Sequence, residues 1–333
     1  MKNSYKNKKV LVTGAGGFIG SHLVEALVKS GADVTALVHY NALNSWGNLE
    51  ELAAEILSKV NVTAGDITDA SFVRRLTDGN GIVFHLAALI AIPYSYVAPV
   101  SYVRTNVEGT VNMLEAAREC GVSRFIHTST SETYGTAHYT PIDEDHPMQG
   151  QSPYSASKIS ADKMAESYYR SFGLPLVTVR PFNTYGPRQS ARAVIPTIAM
   201  QLAGGVSTLK LGALDPVRDM NYVEDTVRGF MMAALAGEDC LGEVVNLGTG
   251  RGVTIGEIAN KLMEISGSQI GIEEDGSRIR PDKSEVFKLI ASNEKAKRFL
   301  KWEPSVSLEE GLKSTYDYVS SNMNRYKLKE YNI

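Results

Sequence analysis

Three glycines spaced three apart, Gly14, Gly17 and Gly20, sit between an apolar run and a helical pattern. The run before them, Lys9-Val-Leu-Val-Thr13, is β-branched and reads as a buried strand. After them Leu23, Val24, Leu27 and Val28 fall at helical spacing until Ser30-Gly31 stops the helix. Val34 to Val38 reads as the next strand. Strand, glycine loop, helix and strand form a βαβ unit, which requires a parallel sheet. Glycines let the backbone turn tightly and approach a pyrophosphate, and the helix start offers free N–H groups with partial positive charge. The loop Gly14, Gly17, Phe18, Ile19 and Gly20 is therefore the expected seat of a dinucleotide.

The alternation continues down the chain. Strands are expected at Val60–Thr63, Gly81–Leu86, Arg124–Thr130 and Leu176–Arg180, and helices at Ser71–Leu76, Val103–Glu119 and Tyr154–Phe172. Beyond Pro181 the loops lengthen. Ala193–Leu202, Gly256–Ser266 and Ser292–Leu300 read as helices. Asn221–Ala236 reads as a strand edge followed by a helix opened by Asp225. Glu243–Leu247 reads as a strand returning to the main sheet, and Met323–Ile333 as a polar, frayed tail. The expected division is residues 1–183 for the dinucleotide, with the strand near 243–248 returning to it, and 184–333 mainly for the substrate, the two sharing a cleft.

Composition narrows the function. A net charge of −3 over 333 residues gives no basic field for nucleic acid or an acidic membrane. Two cysteines, Cys120 and Cys240, exclude a disulfide scaffold and a four-thiolate zinc site, and no metal is expected. No apolar run reaches the length of about 18 that a membrane span needs. Met1 to Lys9 is polar and lysine-rich, without the apolar segment of a signal peptide. The expectation is a cytoplasmic protein.

Chemistry concentrates in two places. In Tyr154-Ser-Ala-Ser-Lys158 the phenol and ammonium share a helix face. A nearby lysine and a cationic nicotinamide both favour phenolate, whose free pKa is near 10, and so make a base at neutral pH. Thr128-Ser-Thr130-Ser131-Glu132 ends a buried strand, where ligands of parallel sheets bind, and its hydroxyls and one carboxylate suit a sugar. The usual acidic residue after the second strand is absent, since Val38-His39-Tyr40-Asn41 stands there; NAD is the expected cofactor, with NADP not excluded. Asp66 is read either as an acceptor for the adenine amino group or as a helix N-cap. Trp46 is read as core or as a lid.

Taken together, the glycine loop, Thr130 and the Tyr154/Lys158 pair resemble the extended short-chain dehydrogenase/reductases that act on nucleotide sugars. His85-Leu86-Ala87-Ala88, Asn106, Arg180-Pro-Phe-Asn183-Thr-Tyr-Gly-Pro187, Arg218-Asp-Met-Asn-Tyr-Val-Glu-Asp225 and Arg280-Pro281 extend that resemblance over nearly the whole chain. It implies an α/β fold: a Rossmann-type doubly wound parallel sheet with a smaller C-terminal substrate-binding α/β domain. It also implies that His39, Asp66, Ile67, Leu86, Ala87 and Ala88 join the cofactor contacts, and that Asn183, Arg192, Arg218 and Arg280 hold the sugar diphosphate. The triplet Thr130-Ser131-Glu132 resembles the GDP-mannose 4,6-dehydratase branch; UDP-glucuronate decarboxylases share the Ser-Glu pair. Asn41–Gly47, Leu89–Tyr96, Gly150–Tyr154 and Arg188–Pro196 are similar to the 4,6-dehydratases of legionaminic-acid biosynthesis, which take GDP-N-acetylglucosamine.

The resemblance implies that Tyr154 and Thr130 remove the 4-hydroxyl proton while Glu132 takes the proton from carbon 5. The acid for the departing water is either Glu132 or Ser131. Relatives pair the helices beginning near Val103 and Tyr154 across a twofold axis. A homodimer through a four-helix bundle is therefore expected, the other reading being that the row Val107, Val111, Leu114 and Ala117 simply faces the sheet.

Overall fold

A computed structural model of the chain describes residues 3–278 and 286–326. Seven strands form one parallel sheet: β1 (Lys9–Thr13), β2 (Asp33–His39), β3 (Val60–Gly65), β4 (Ile82–His85), β5 (Arg124–Thr128), β6 (Leu176–Pro181) and a returning strand, Val244–Leu247. With β7 (Asn183–Tyr185), β8 (Thr208–Leu211) and β9 (Val217–Tyr222) intervening, that strand is β10, and the sheet order is β10-β6-β5-β4-β1-β2-β3. The order reverses between β1 and β4, which opens a crevice at their carboxyl ends, as in doubly wound folds. The expected return of the 243–248 segment is observed, β10 pairing in parallel with β6.

Helices cover both faces. On one lie α1 (Phe18–Lys29) and, after the short α2 (Ala54–Leu57), α3 (Ala70–Thr77), α4 (Ile92–Val97), α5 (Pro99–Tyr102), α6 (Gly109–Glu119), α7 (Pro153–Phe172) and α8 (Val194–Ala203), a ninth helix, α9 (Val223–Leu235). Leu23, Leu27, Val10, Val12, Val227 and Phe230 interlock there. On the other face Met113, Leu114, Ala165 and Tyr168 of α6 and α7 meet Leu11, Val83 and Phe125. At about 25 cal/mol per Å² of apolar area, these two layers are the main stabilising term of the fold.

The second half also carries β11 (Gly252–Thr254), β12 (Gly271–Glu274) and β13 (Lys288–Leu289), in two small sheets with β7, β8 and β9, together with α10 (Ile255–Ser266) and α11 (Leu308–Ser321). Four expectations are corrected. Residues 103–119 are not one regular helix: Val103–Glu108 is a π-helical turn between α5 and α6. Asp225 does not open α9, whose N-cap is Tyr222; its carboxylate instead accepts from the N–H groups of Ser305 and Val306. Ser292–Leu300 becomes helical only from Glu294, and its greater part, Ala296–Leu300, is a π-turn. Finally, α11 is a helix where none was expected. The tail beyond Tyr326 lies outside the described residues.

Candidate active site

The glycine loop leaves β1 and enters α1. Gly14 has φ +68, and a Cβ there would lie 2.8 Å from the Ala87 nitrogen. A Cβ on Gly20 would lie 2.2 Å from the Gly14 carbonyl oxygen. Both positions therefore exclude side chains. Gly17 caps α1 without a side-chain hydrogen bond, so the helix start faces the crevice with its N–H groups and dipole. This cradle fits a pyrophosphate. Phe18 and Ile19 follow in the first turn, half-buried.

A network fixes the crevice's other wall. Leu86 and Ala87 N–H groups both donate to Thr13 Oγ1 at 3.1 Å, and the Thr13 hydroxyl donates to His85 Nδ1 at 2.9 Å. Thr110 spends its proton on the Asn106 carbonyl at 2.6 Å, so His85 Nε2 is the donor to Thr110 Oγ1 at 3.1 Å. Burial holds His85 neutral, consistent with this tautomer. Asn106, placed by the π-turn, accepts from Leu89 N–H at 2.8 Å, donates back to the Leu89 carbonyl at 2.9 Å and donates to Ser157 Oγ at 2.9 Å. The wall of Leu86, Ala87 and Ala88 is thus tied to α7.

Other sequence-named cofactor residues lie around the far end. His39 ends β2 with Nε2 3.5 Å from Asp66 Oδ2. Asp66 is not a helix N-cap; that place belongs to Asp69, which accepts from Phe72 N–H. Asp66 instead accepts from the Thr68 N–H and hydroxyl, both at 2.9 Å. The Ile67 side chain is buried against Gly109. Trp46 lies beside the glycine loop and packs, half-buried, on the main core, as the core reading expects: its carbonyl faces Gly16, and Asn48 N–H donates to the Gly16 carbonyl.

Tyr154 and Lys158 stand in the first turns of α7. Ser152 and Ser155 form a capping box and Pro153 occupies the first turn, which fixes where the helix begins. Lys158 Nζ donates to the Thr128 carbonyl at 2.6 Å, and burial lowers its pKa to about 8. Burial pushes the Tyr154 phenol well above the usual tyrosine range; a hydrogen bond with Thr130 pulls it down, and the charges of Glu132 and Asp162 push it up. In the chain alone the phenol is therefore held protonated, and the expected phenolate needs a further positive charge in the crevice. Glu132 is therefore near enough for its charge to oppose ionisation of the Tyr154 phenol.

Thr130 caps the single turn Ser131–Tyr134, its Oγ1 accepting from Glu132 N–H at 3.3 Å. Tyr134 anchors the turn through its hydroxyl to Asn246 Oδ1 at 2.8 Å and its ring beneath the Arg180 guanidinium at 4.6 Å. Glu132 is half-buried in this turn, and Ser131 is fully buried.

A cavity of about 340 Å³ lies mainly among elements of the second half, lined among others by Asn183, Gln189, Arg192, Arg218, Met220 and Arg278; Thr130, Glu132, Tyr154 and Lys158 are not in its lining. Asn183 Oδ1 and Gln189 Oε1 are buried there without a hydrogen-bond partner among the described residues. Arg192 lies exposed at the rim and Arg218 is buried. Arg280 lies outside the described residues. Sequence reasoning passed over Asp162, although it continues the spacing of Tyr154 and Lys158 by a further four residues on the same helix face. It also passed over Arg278.

A family model described as GDP-mannose 4,6 dehydratase matches residues 11–315. The chain belongs to this family. It is 36% identical to the dTDP-glucose 4,6-dehydratase of Streptomyces griseus over 311 residues, 92% of each chain. Among solved structures it resembles DesIV, a dTDP-glucose 4,6-dehydratase from Streptomyces venezuelae with NAD bound, at TM-score 0.85 and 30% identity over 96% of this chain and 99% of that one. The UDP-glucuronic acid 4-epimerase of Bacillus cereus, in complex with UDP-glucuronic acid and NAD, matches at TM-score 0.85 and 31% identity over 94% and 99%. The fold is thus shared by dehydratases and epimerases of nucleotide sugars, and the expected Rossmann-type α/β architecture is the one observed.

Proposed function

We propose that the chain is an NAD-dependent 4,6-dehydratase that converts GDP-N-acetylglucosamine to its 4-keto-6-deoxy product. The observation carrying the dehydratase reading is the half-buried carboxylate of Glu132, held in the single turn that Thr130 caps, two residues beyond that hydroxyl. An epimerase needs one base at carbon 4, whereas a dehydratase also needs a group for the carbon 5 proton. The nucleotide and the N-acetyl group rest on the similarity of residues 41–47, 89–96, 150–154 and 188–196 to the legionaminic-acid dehydratases.

In this reading the part up to residue 183, with β10, holds NAD and residues 184–333 hold mainly the nucleotide sugar. Gly14, Gly17, Phe18, Ile19 and Gly20 hold the pyrophosphate of NAD; His39, Asp66 and Ile67 lie toward its adenosine half, and Leu86, Ala87 and Ala88 toward its middle. NAD bound there would supply the hydride acceptor for carbon 4 of the sugar and the hydride donor for carbon 6. Tyr154 accepts the 4-hydroxyl proton, helped by Thr130, with Lys158 as the adjacent cation. Glu132 removes the proton from carbon 5, which the new ketone has acidified; after water has left and carbon 6 has been reduced, carbon 5 is reprotonated from solvent and Tyr154 gives its own proton up to solvent. Either Glu132, once protonated, or Ser131 passes a proton to the departing hydroxyl; the burial of Ser131 favours Glu132. Asn183, Arg192, Arg218 and Arg280 bind the diphosphate.

The test is to incubate the protein with GDP-, UDP- and dTDP-linked sugars and follow loss of one water by mass spectrometry. Dehydration of GDP-N-acetylglucosamine is expected. Turnover without water loss, or carbon dioxide from a UDP-glucuronate, would replace the reading by the epimerase or the decarboxylase. We also propose a homodimer through the helical runs 99–119 and 153–172, supported by Val100 and Val103, which are 62% and 56% exposed. Monomeric mass by light scattering would overturn it.

A further inference from the structure

One buried cluster has no part in the chemistry just described. Asp162 lies on α7, one turn beyond Lys158, and is 6% exposed. Its Oδ1 accepts from His127 Nε2 at 2.9 Å; its Oδ2 accepts from Ser129 Oγ at 2.6 Å and from Arg180 Nη2 at 2.7 Å. Arg180 Nε donates to Ser129 Oγ at 3.1 Å, and the guanidinium lies over the Tyr134 ring. His127 belongs to β5 and Ser129 follows its end, directly before Thr130; Tyr134 closes the turn that carries Glu132, and Arg180 belongs to β6. Every segment that bears a candidate catalytic group therefore converges on one carboxylate.

The charges around it are few. His127 from β5 and Arg180 from β6 bond to it, and Tyr154 and Lys158 on α7 feel its charge; one step further out, His85 on β4 feels His127 and Lys158, and Glu132 acts on Tyr154. Burial holds His85 and His127 neutral. Burial pushes the Asp162 carboxyl up, but the His127 hydrogen bond and the Arg180 and Lys158 charges outweigh it and keep the group ionised. For Lys158, burial favours the neutral amine, and Asp162 is the group that opposes it.

We propose that Asp162 is a positioning residue: with Arg180 and Ser129 it sets α7 against β5, so that Tyr154 meets Thr130 and Glu132, and it is the counter-charge that Lys158 needs inside the protein. The proposal rests on the reading that Tyr154 is the base at carbon 4. It separates two roles that a buried ion pair can have, since such a pair is by itself weak evidence for stability.

Three variants decide it. Asp162→Asn leaves Arg180 buried and unpaired, so a lower Tm is expected with either role. The double variant D162N/R180M removes both charges and fills the space beside Met148 and Tyr134, so Tm returns toward the wild-type value. The expected kcat of the double variant stays about tenfold or more below wild type with a nearly unchanged KM, because the misplaced base and the lost counter-charge remain. Carbon-13 NMR of lysine Cε, with Lys158 assigned through Lys158→Arg, is expected to show its titration in the double variant moved to lower pH than in the wild type, where burial already pulls it down. Full recovery of kcat together with Tm, or an unmoved Lys158 titration, would overturn the proposal. Should the double variant fail to fold, Ser129→Ala removes one hydrogen bond from Asp162 and one from Arg180 without stranding a charge; unchanged kcat and unchanged Lys158 titration in it would overturn the proposal equally. The titration needs no substrate. If wild type turns over no nucleotide sugar, the functional reading fails while the inference about Asp162 is still decided.

Discussion

The ammonium of Lys158 and the carbonyl of Thr128 are joined by a hydrogen bond of 2.6 Å. Thr128 ends β5, two residues before Thr130, so the lysine braces the strand end from which the site's hydroxyl and carboxylate project. The cation is held in place by main chain, close to a phenol that burial keeps protonated.

Tyr154 and Glu132 should fail in different ways. Tyr154→Phe is expected to lower the first half-reaction, read as nicotinamide reduction by its near-ultraviolet absorbance, by roughly 10²–10⁴-fold. Glu132→Gln is expected to retain cofactor binding yet block solvent deuterium uptake at carbon 5. Uptake at the wild-type rate in Glu132→Gln would remove the carboxylate from that role.

Gly20→Ala tests the cradle. The new methyl would fall 2.2 Å from the Gly14 carbonyl oxygen, which is backbone and cannot swing aside. A loss of about 1–3 kcal/mol in unfolding free energy is expected from such overpacking, with weaker NAD binding by calorimetry. Wild-type stability and affinity together would show that the loop opens freely.

Asn106→Ala strips the partners from both the N–H and the carbonyl of Leu89. With each unsatisfied buried group costing about 1–3 kcal/mol, a loss of about 2–4 kcal/mol is expected in urea denaturation. A change within experimental error would mean that water replaces the amide at no cost.

His22 gives a pH signature. Burial, aided by the charge of Arg188, lowers its pKa from 6.5 to about 4, and its Nε2 donates to the Pro187 carbonyl at 2.9 Å. Between those values the unfolded chain binds more protons than the folded one, so stability rises with pH across that window and falls on acidification. At pH 5 the loss relative to pH 7 is about 2 kcal/mol. His22→Gln keeps an N–H for Pro187 and cannot titrate, so its stability should fall by about that much less over the same interval. Parallel curves for the two proteins would refute the assignment.

The main sheet was legible because each βαβ unit repeats an apolar run, a turn and a helical period, and because Gly14, Gly17 and Gly20 mark where the first strand must end. The second half was legible only in part: α8, α9, α10 and the returning β10 lie where the spacing put them, but its short strands do not show in the sequence. Strands such as β11 and β13 span three and two residues, too few to show a period of two. Helix α11 did carry a signal, the Ser307–Glu310 capping box, which was passed over. At the site, Tyr154, Lys158 and Thr130 could be named from spacing, but the proton affinity of Tyr154 could not, because burial outweighs its neighbours there. The tie from Asp162 to Arg180 joins α7 to a strand beyond it in the chain and is set by packing rather than by any local pattern.

Strand β6 is buried at every position, and its outer neighbour is β10, which the chain supplies only after α8, β8, β9 and α9. A polypeptide cut near residue 183, or still emerging from the ribosome at that point, would present β6 as a bare, greasy edge of unpaired amides. The nucleotide-gripping half is thus not a portable module: expressed alone it should aggregate, and a fusion or graft that borrows it has to bring residues 244–247 along.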